Sequence, residues 1–266
     1  MSTNGIVGEM GRGVDDRVAV VTGAAQGLGE IYARHIGALG ATVVIADLDE
    51  PGAHDAAAKM VADGMKAWGH AVDVADEASV QRLADAVLER HPETTGADIL
   101  VNNAAMYRGM RRMEVESMDL DYWRKMIDVN LTGVMLVTRA FIPQLKTSSS
   151  GKVVNAASAS AHLQVPGVLH YCVSKAAVIA LTQGLARELG KYGIRVNAIA
   201  PGVTLTTATL ESMDEQTQKF MAQLTALGSN ASPDDMRGPL EFLVSDASNW
   251  VTGQTVVVDG GRVMIG

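Results

Sequence analysis

Short runs rich in β-branched residues alternate along this chain with longer segments whose apolar positions recur at helical spacing. Val18-Ala19-Val20-Val21 is followed by a helical period from Ile31 to Leu39, and that by Thr42-Val43-Val44-Ile45. The rhythm continues through Ala71-Val72, Ile99-Leu100-Val101, Val153-Val154, Ile194-Arg195-Val196 and Thr255-Val256-Val257-Val258, with helix-like stretches between them. Such alternation calls for parallel pairing, because a crossover through a helix returns the chain to begin the next strand in the same direction. Runs that are apolar on both alternating faces suit strands covered by helices on each side. Right-handed crossovers then wind the chain into a doubly wound α/β sheet. The pattern predicts seven parallel strands in a single domain over residues 16–266, behind a flexible N-terminal tail at 1–15. One stretch breaks the rhythm. From 203 to 232 a Thr-rich sequence leads into an amphipathic segment with Met213, Phe220, Met221 and Leu224. It reads as a helical insertion after a strand's carboxyl end, where it either forms a lid over a ligand or covers a sheet edge.

Composition adds exclusions. Apolar residues make up 47% of the chain and charged residues 20%, as in an ordinary globular protein with a large interior. A net charge of −8 without a Lys/Arg stripe argues against a nucleic-acid partner. Acidic residues such as Asp47, Asp73 and Asp98 punctuate the apolar stretches, so no membrane span is expected. The N-terminus lacks the basic and apolar segments of a secretory signal, and the sole cysteine, Cys172, excludes an intrachain disulfide. A cytoplasmic protein is expected.

Two loops carry nucleotide chemistry. Thr22-Gly23-Ala24-Ala25-Gln26-Gly27-Leu28-Gly29 follows the first strand and opens a helix. Glycines there permit a tight turn and the close approach of a pyrophosphate to backbone N–H groups at the helix N-terminus. The second strand ends at Asp47, about twenty residues on, where a carboxylate can accept from the ribose hydroxyls and repel a 2′-phosphate. Neither Gln26, Leu28 nor Leu48 offers a compensating cation, which favours NAD over NADP. Later, Tyr171 and Lys175 stand four residues apart, on one face of a helix, with Ser158 upstream. A cation held close to a phenol favours the phenolate, so the pair is a candidate proton-transfer device.

In this order the motifs resemble those of the short-chain dehydrogenase/reductase family over essentially the whole chain after the tail. The glycine loop is followed by Asp73-Val74, Asn102-Asn103-Ala104-Ala105, Asn130, Ser158, Tyr171 with Lys175, and Pro201-Gly202 before Thr204. The resemblance implies a Rossmann fold and hydride transfer at a nicotinamide. It implies that Tyr171 is the general acid/base, that Ser158 holds the substrate oxygen, and that Lys175, helped by the positive charge of the oxidised nicotinamide, lowers the phenol's pKa and bonds the nicotinamide ribose. Asn130 would kink a helix and seat a water in a proton relay. Asp73 and Val74 would meet the adenine, Asn103, Ala104 and Ala105 the adenosine ribose, and Pro201, Gly202, Val203 and Thr204 the nicotinamide. Ala105 departs from the usual glycine. A homotetramer is also implied.

The expected activity is NAD-dependent interconversion of an apolar secondary alcohol and its ketone. A catalytically silent NAD-binding sensor or scaffold is the alternative, and an epimerase or dehydratase a third reading. The lining expected around Met106, Leu163 and Met213 is largely apolar. Arg108, Arg111 and Arg112 either meet an anionic substrate or lie in solvent. No Cys/His/carboxylate cluster has ligand spacing, so no metal is expected.

Overall fold

The computed structural model describes residues 13–93 and 96–265. Seven strands form one parallel sheet in the order β3-β2-β1-β4-β5-β6-β7. In chain order the elements are β1 (Val18–Thr22), α1 (Gly27–Ala38), β2 (Thr42–Asp47), α2 (Glu50–Ala62), β3 (Lys66–Ala71), α3 (Glu77–Arg90) and β4 (Ile99–Asn102). These are followed by α4 (Leu120–Ile127), α5 (Gly133–Thr147), β5 (Lys152–Ala156), α6 (Ser160–Leu163), α7 (Leu169–Leu189) and β6 (Arg195–Pro201). The last part holds α8 (Thr207–Ser212), α9 (Glu215–Gln223), α10 (Arg237–Val244) and β7 (Thr255–Val258). The doubly wound, Rossmann-like architecture is the one the apolar runs predict. Every residue of β1, β4 and β5 is buried, which is why those strands lack a polar alternation.

Two differences have physical causes. β3 was expected at Ala71-Val72, yet it runs from Lys66 to Ala71 as Lys-Ala-Trp-Gly-His-Ala. It is the edge strand, none of its residues is fully buried, and it has no need of β-branched residues on both faces. The expected tail at 1–15 lies outside the described residues as far as residue 12. At its inner end the boundary is corrected, because Val14 is fully buried in the core and Arg17 pairs with Asp246 at 2.9 Å.

Helices cover both faces. Tyr32 and Ile36 of α1, Met60 of α2 and Leu240 and Leu243 of α10 pack on one side of the sheet. Leu83 and Val87 of α3, Phe141 and Leu145 of α5 and Leu189 of α7 pack on the other. A polar ladder crosses that second layer. Asn102 Nδ2 donates to Thr138 Oγ1 and to Asn155 Oδ1, and Asn155 Nδ2 donates to Thr182 Oγ1, each at 2.9 Å. These bonds in a dry interior fix how α5 and α7 sit on β4 and β5, with Asn102 Oδ1 the one ladder atom left without a partner.

α4 and α5 are joined through a π-helical turn, Asp128–Thr132. The resulting run, Leu120–Thr147, is by length and mean hydropathy long enough to cross a membrane, which the reading of the sequence did not anticipate. Val137, Phe141 and Leu145 of this run are instead buried in the core layer against α3 and the sheet.

At the amino-terminal end of the sheet, Lys152 is fully buried. Its Nζ donates to Ser248 Oγ at 3.0 Å and Asn249 Oδ1 at 2.8 Å. Burial, then the nearby Arg195 charge, lowers its pKa from 10.5 to about 7, against the opposing pull of Asp246. Between those values the unfolded chain holds a proton that the folded chain has lost, so stability rises with pH through that window. Below it the cost of the buried ammonium is present in full. The stability of Lys152→Met relative to wild type is therefore expected to be most favourable below pH 7. It should move toward wild type by about 4 kcal/mol as pH rises toward 10. Urea unfolding of both proteins across that range measures it, and a constant difference would count against the buried charge.

Candidate active site

A cleft of about 750 Å³ opens at the carboxyl ends of the strands, where the strand order reverses between β1 and β4. Gly23, Gln26, Gly27, Leu28 and Gly29 line it from the β1–α1 turn, and Asp47 and Leu48 from the end of β2. Asp73 and Val74 reach it after β3, Asn103, Ala104 and Ala105 after β4, and Ser158 after β5. Tyr171 and Lys175 face it from α7, and Pro201, Gly202, Val203 and Thr204 from the end of β6. Of the residues to which the family resemblance assigns a role, only Asn130 does not line the cleft.

The glycine turn is shaped by close backbone approach. Gly23 has φ +63°, and a Cβ on it would stand 2.7 Å from Ala104 Cα. Gly27 has φ +64° with nothing within 4 Å of an added Cβ, so open space lies before the N-terminus of α1. Gln26, at the N-cap, makes no capping bond with its side chain. The first N–H groups of a 12-residue helix thus face the cleft unsheathed, as an anion would need. Asn103 Nδ2 donates to the carbonyls of Thr22 and Gly23 at 3.0 and 2.9 Å, which pins the turn to the end of β4. Asp47 braces it from the other side, accepting from Ala25 N–H at 2.9 Å and Asp49 N–H at 3.0 Å. Each carboxylate oxygen retains a further acceptor position. Asp73 accepts from Ala75 N–H at 2.9 Å in the same fashion.

At the other end of the cleft lie the residues expected to move a proton. Ser158, Tyr171 and Lys175 are all buried. Lys175 Nζ sits 5.8 Å from the centroid of the Tyr171 ring and donates to Ala156 C=O at 2.7 Å. Burial drives the Tyr171 phenol well above its ordinary value, opposed by a hydrogen bond from Ser158. Burial also lowers the Lys175 ammonium to about 8. The protein's own charges leave desolvation of the phenolate dominant, with the ammonium engaged on a carbonyl.

Asn130 lies in the π-helical turn, fully buried. Its Oδ1 accepts from Met106 N–H at 2.7 Å, and its Nδ2 donates to Ser174 Oγ at 3.2 Å. The side chain thereby ties the loop after β4 to α7, between Tyr171 and Lys175. Cys172 is buried, and burial raises its thiol, so it is held in the unreactive form. His170 is buried beside the Tyr122 ring, with centroids 5.4 Å apart. Among the described residues no group of three His, Cys, Asp or Glu could hold a metal ion.

The partners of two lining residues could not be read from the sequence. Tyr107 packs its ring 5.7 Å from that of Tyr171, and its hydroxyl lies 3.4 Å from Thr209 Oγ1 on α8. Arg108 spans the mouth of the cleft. Its Nε and Nη2 donate to both carboxylate oxygens of Glu211 on α8, at 3.0 and 2.9 Å, and its Nη1 donates to Gln26 Oε1 at 2.9 Å. The stretch read as an insertion at 203–232 thus contributes α8 and α9, with α8 clamped to the glycine turn.

A family model described as enoyl-(acyl carrier protein) reductase matches residues 23–262. The chain belongs to the short-chain dehydrogenase/reductase family. An oxidoreductase of Mycobacterium tuberculosis is 42% identical over 250 residues, covering 94% of this chain and 98% of that protein. The structure of a gluconate 5-dehydrogenase from Burkholderia cenocepacia, in complex with NADP and tartrate, superposes with a TM-score of 0.86 at 33% identity. That match covers 93% of this chain and 95% of the other. A 7α-hydroxysteroid dehydrogenase complexed with NADH and 7-oxo glycochenodeoxycholic acid gives 0.88 at 29% identity, with 95% and 96% covered. As a short-chain dehydrogenase/reductase the protein is an oxidoreductase of a family that binds a nicotinamide cofactor. Its open space before Gly27 and unsheathed α1 N-terminus fit the pyrophosphate of such a group.

Because Asn130 satisfies a backbone N–H that would otherwise be orphaned, Asn130→Ala is expected to destabilise the fold by about 1–3 kcal/mol. Equilibrium urea unfolding checks this, and a change within error of zero would mean that Met106 finds another acceptor.

Proposed function

We propose that this protein is an NAD-dependent alcohol dehydrogenase or ketone reductase that interconverts a mostly apolar secondary alcohol and its ketone. The observation that supports this reading most strongly is the buried Ser158, Tyr171 and Lys175 set at the inner end of a nucleotide-sized cleft. The nicotinamide, when bound, supplies or accepts the hydride. Tyr171 exchanges the proton at the substrate oxygen through its phenolic oxygen, while Ser158 Oγ holds that oxygen by a hydrogen bond. A phenol kept protonated by burial is ready to donate to a developing alkoxide, which suits ketone reduction near neutral pH. Lys175, with its pKa near 8, bears a positive charge below that value and offers its remaining donors to the ribose. Asn130 acts through position, holding the loop that carries Met106 and Tyr107 against α7.

NAD in preference to NADP follows from Asp47, whose carboxylate at the end of β2 would repel a 2′-phosphate. Arg108, the cation nearest the glycine turn in these contacts, is already neutralised by Glu211. Leu48, beside Asp47, is exposed and uncharged.

Tyr171→Phe is expected to lower turnover by at least about 100-fold while leaving NADH binding intact. Steady-state rates with a panel of cyclic, aromatic and aliphatic alcohols, paired with fluorescence titration of NADH, measure both. Unimpaired turnover would remove Tyr171 from the proton step. Asp47→Ala should narrow the preference for NAD over NADP by about tenfold or more. A wild-type protein that works better with NADPH would overturn the ribose argument.

A further inference from the structure

Five cations line the cleft: Arg108, Arg112, Lys125, Lys175 and Arg262. Their partners divide them. Arg108 is neutralised by the bidentate bond to Glu211, and Lys175 is engaged on Ala156 C=O. Of the neighbouring arginines in the loop after β4, Arg111 is paired with Asp119 at 3.0 Å and stacked over Tyr122, 5.1 Å from its ring centroid. Arg112 differs. Its Nη2 donates to Pro166 C=O at 2.8 Å, and no carboxylate among the described residues meets it. Arg262, half-buried beyond β7, donates Nη1 only to Met221 Sδ, at 3.2 Å. A thioether is a weak acceptor, so a half-buried guanidinium is left with most of its donors unanswered. Lys125, on the exposed side of α4, likewise has no carboxylate partner among the described residues.

The carboxylates that line the cleft are Glu30, Asp47 and Asp73. They come from the first turn of α1, the end of β2 and the turn after β3, at the nucleotide end. Arg112 approaches from the opposite side, against the 165–168 segment that packs on Tyr171, and Arg262 leans on α9. The same cleft is lined by Met110, Leu163, Val165 and Met213. The cleft thus carries negative charge where the nucleotide lies and uncommitted positive charge beyond the reacting end, with apolar walls around it.

We infer that the substrate is an amphipathic acid, an apolar secondary alcohol or ketone bearing a carboxylate, and that Arg112 and Arg262 receive that carboxylate. The inference rests on the alcohol and ketone reading above for the reaction, but not for the binding. A planar carboxylate matches the forked donors of a guanidinium, and each arginine would satisfy donors the fold leaves open. The two residues determine specificity and take no part in the proton or hydride step.

The test separates charge from chain. Octanoate and octanamide share size and apolar surface, and calorimetric titration of each into the cofactor-free protein reads binding without turnover. Octanoate is expected to bind at least about tenfold more tightly than octanamide, an advantage that shrinks as salt is raised. Arg112→Gln and Arg262→Gln should each reduce that advantage by about three- to tenfold and leave octanamide unchanged, while Arg262→Lys keeps part of it. Equal binding of acid and amide, no binding of octanoate at millimolar concentration, or equal loss of both ligands in the variants would each overturn the assignment. A parallel assay compares hydroxy acids with their amides in the presence of NAD. There the glutamine variants should raise KM for the acid with little change in kcat. Carboxylate binding without any turnover would leave the anion site standing and refute the dehydrogenase reading instead.

Discussion

The pairing of β1 with β2 on one side and β4 on the other governs the cleft. Val20 registers with Val44 and with Leu100, so the sheet grows outward from β1 in both directions. Parallel pairing forces a crossover after each strand, and reversing direction at β1 sends successive helices to opposite faces. The carboxyl ends of β1 and β4 therefore feed loops that part from each other. The fold has to leave a crevice there, and the Gly23 turn and the Asn103 loop are its two walls. Asn103 Nδ2 closes the base by bonding both Thr22 and Gly23 carbonyls, which lets the walls stay apart above it. A side chain on Gly23 would collide with Ala104 backbone and break that geometry at its root.

Burial then sets the chemistry, more strongly than pairing does. Tyr171 and Lys175 sit one helical turn apart, and water exclusion pushes each toward its neutral form. The same exclusion strengthens every dipole that points into the site, so the Ala156 carbonyl that accepts from Lys175 and the Ser158 hydroxyl near the phenol act with little screening. The polar ladder from Asn102 through Asn155 to Thr182 belongs to this argument, because it fixes α7 relative to β5. Displacement of α7 would carry Tyr171 and Lys175 away from Ser158 and Ala156 together. Asn130 reinforces the arrangement from the far side through Ser174.

Much of this was legible in the sequence, for a definable reason. Central parallel strands must be apolar on both faces, so β1, β2, β4 and β5 announce themselves, and the residues just after each strand are delivered to the cleft by the topology. What was hidden depends on tertiary context. β3 escaped because an edge strand need not be apolar, as its Trp68-Gly69-His70 centre shows. The spacing of Tyr171 and Lys175 shows that the two groups are near but not that burial withdraws water from both. Arg108 reaches Gln26 and Glu211 across 82 and 103 residues, and no local pattern marks such a bridge. The role of Asn130 in holding Met106 was equally invisible, since the partner is a backbone N–H 24 residues away.

The distribution of charge in the cleft has a consequence for the whole molecule. A protein with a net charge of −8 repels anions on approach, and its nucleotide end adds Asp47 and Asp73 to that field. An anionic ligand can settle in such a cleft only where local cations outweigh the surroundings. Arg108 and Arg111 do not serve, because Glu211 and Asp119 cancel them. Arg112 and Arg262 have no carboxylate partner among the described residues, and Met, Leu and Val side chains line the same cleft. Segregating the signs in this way orients a molecule as well as holding it. An acid drawn to such a positive end would turn its apolar body along the walls and present its oxygen to the buried Tyr171 rather than to solvent.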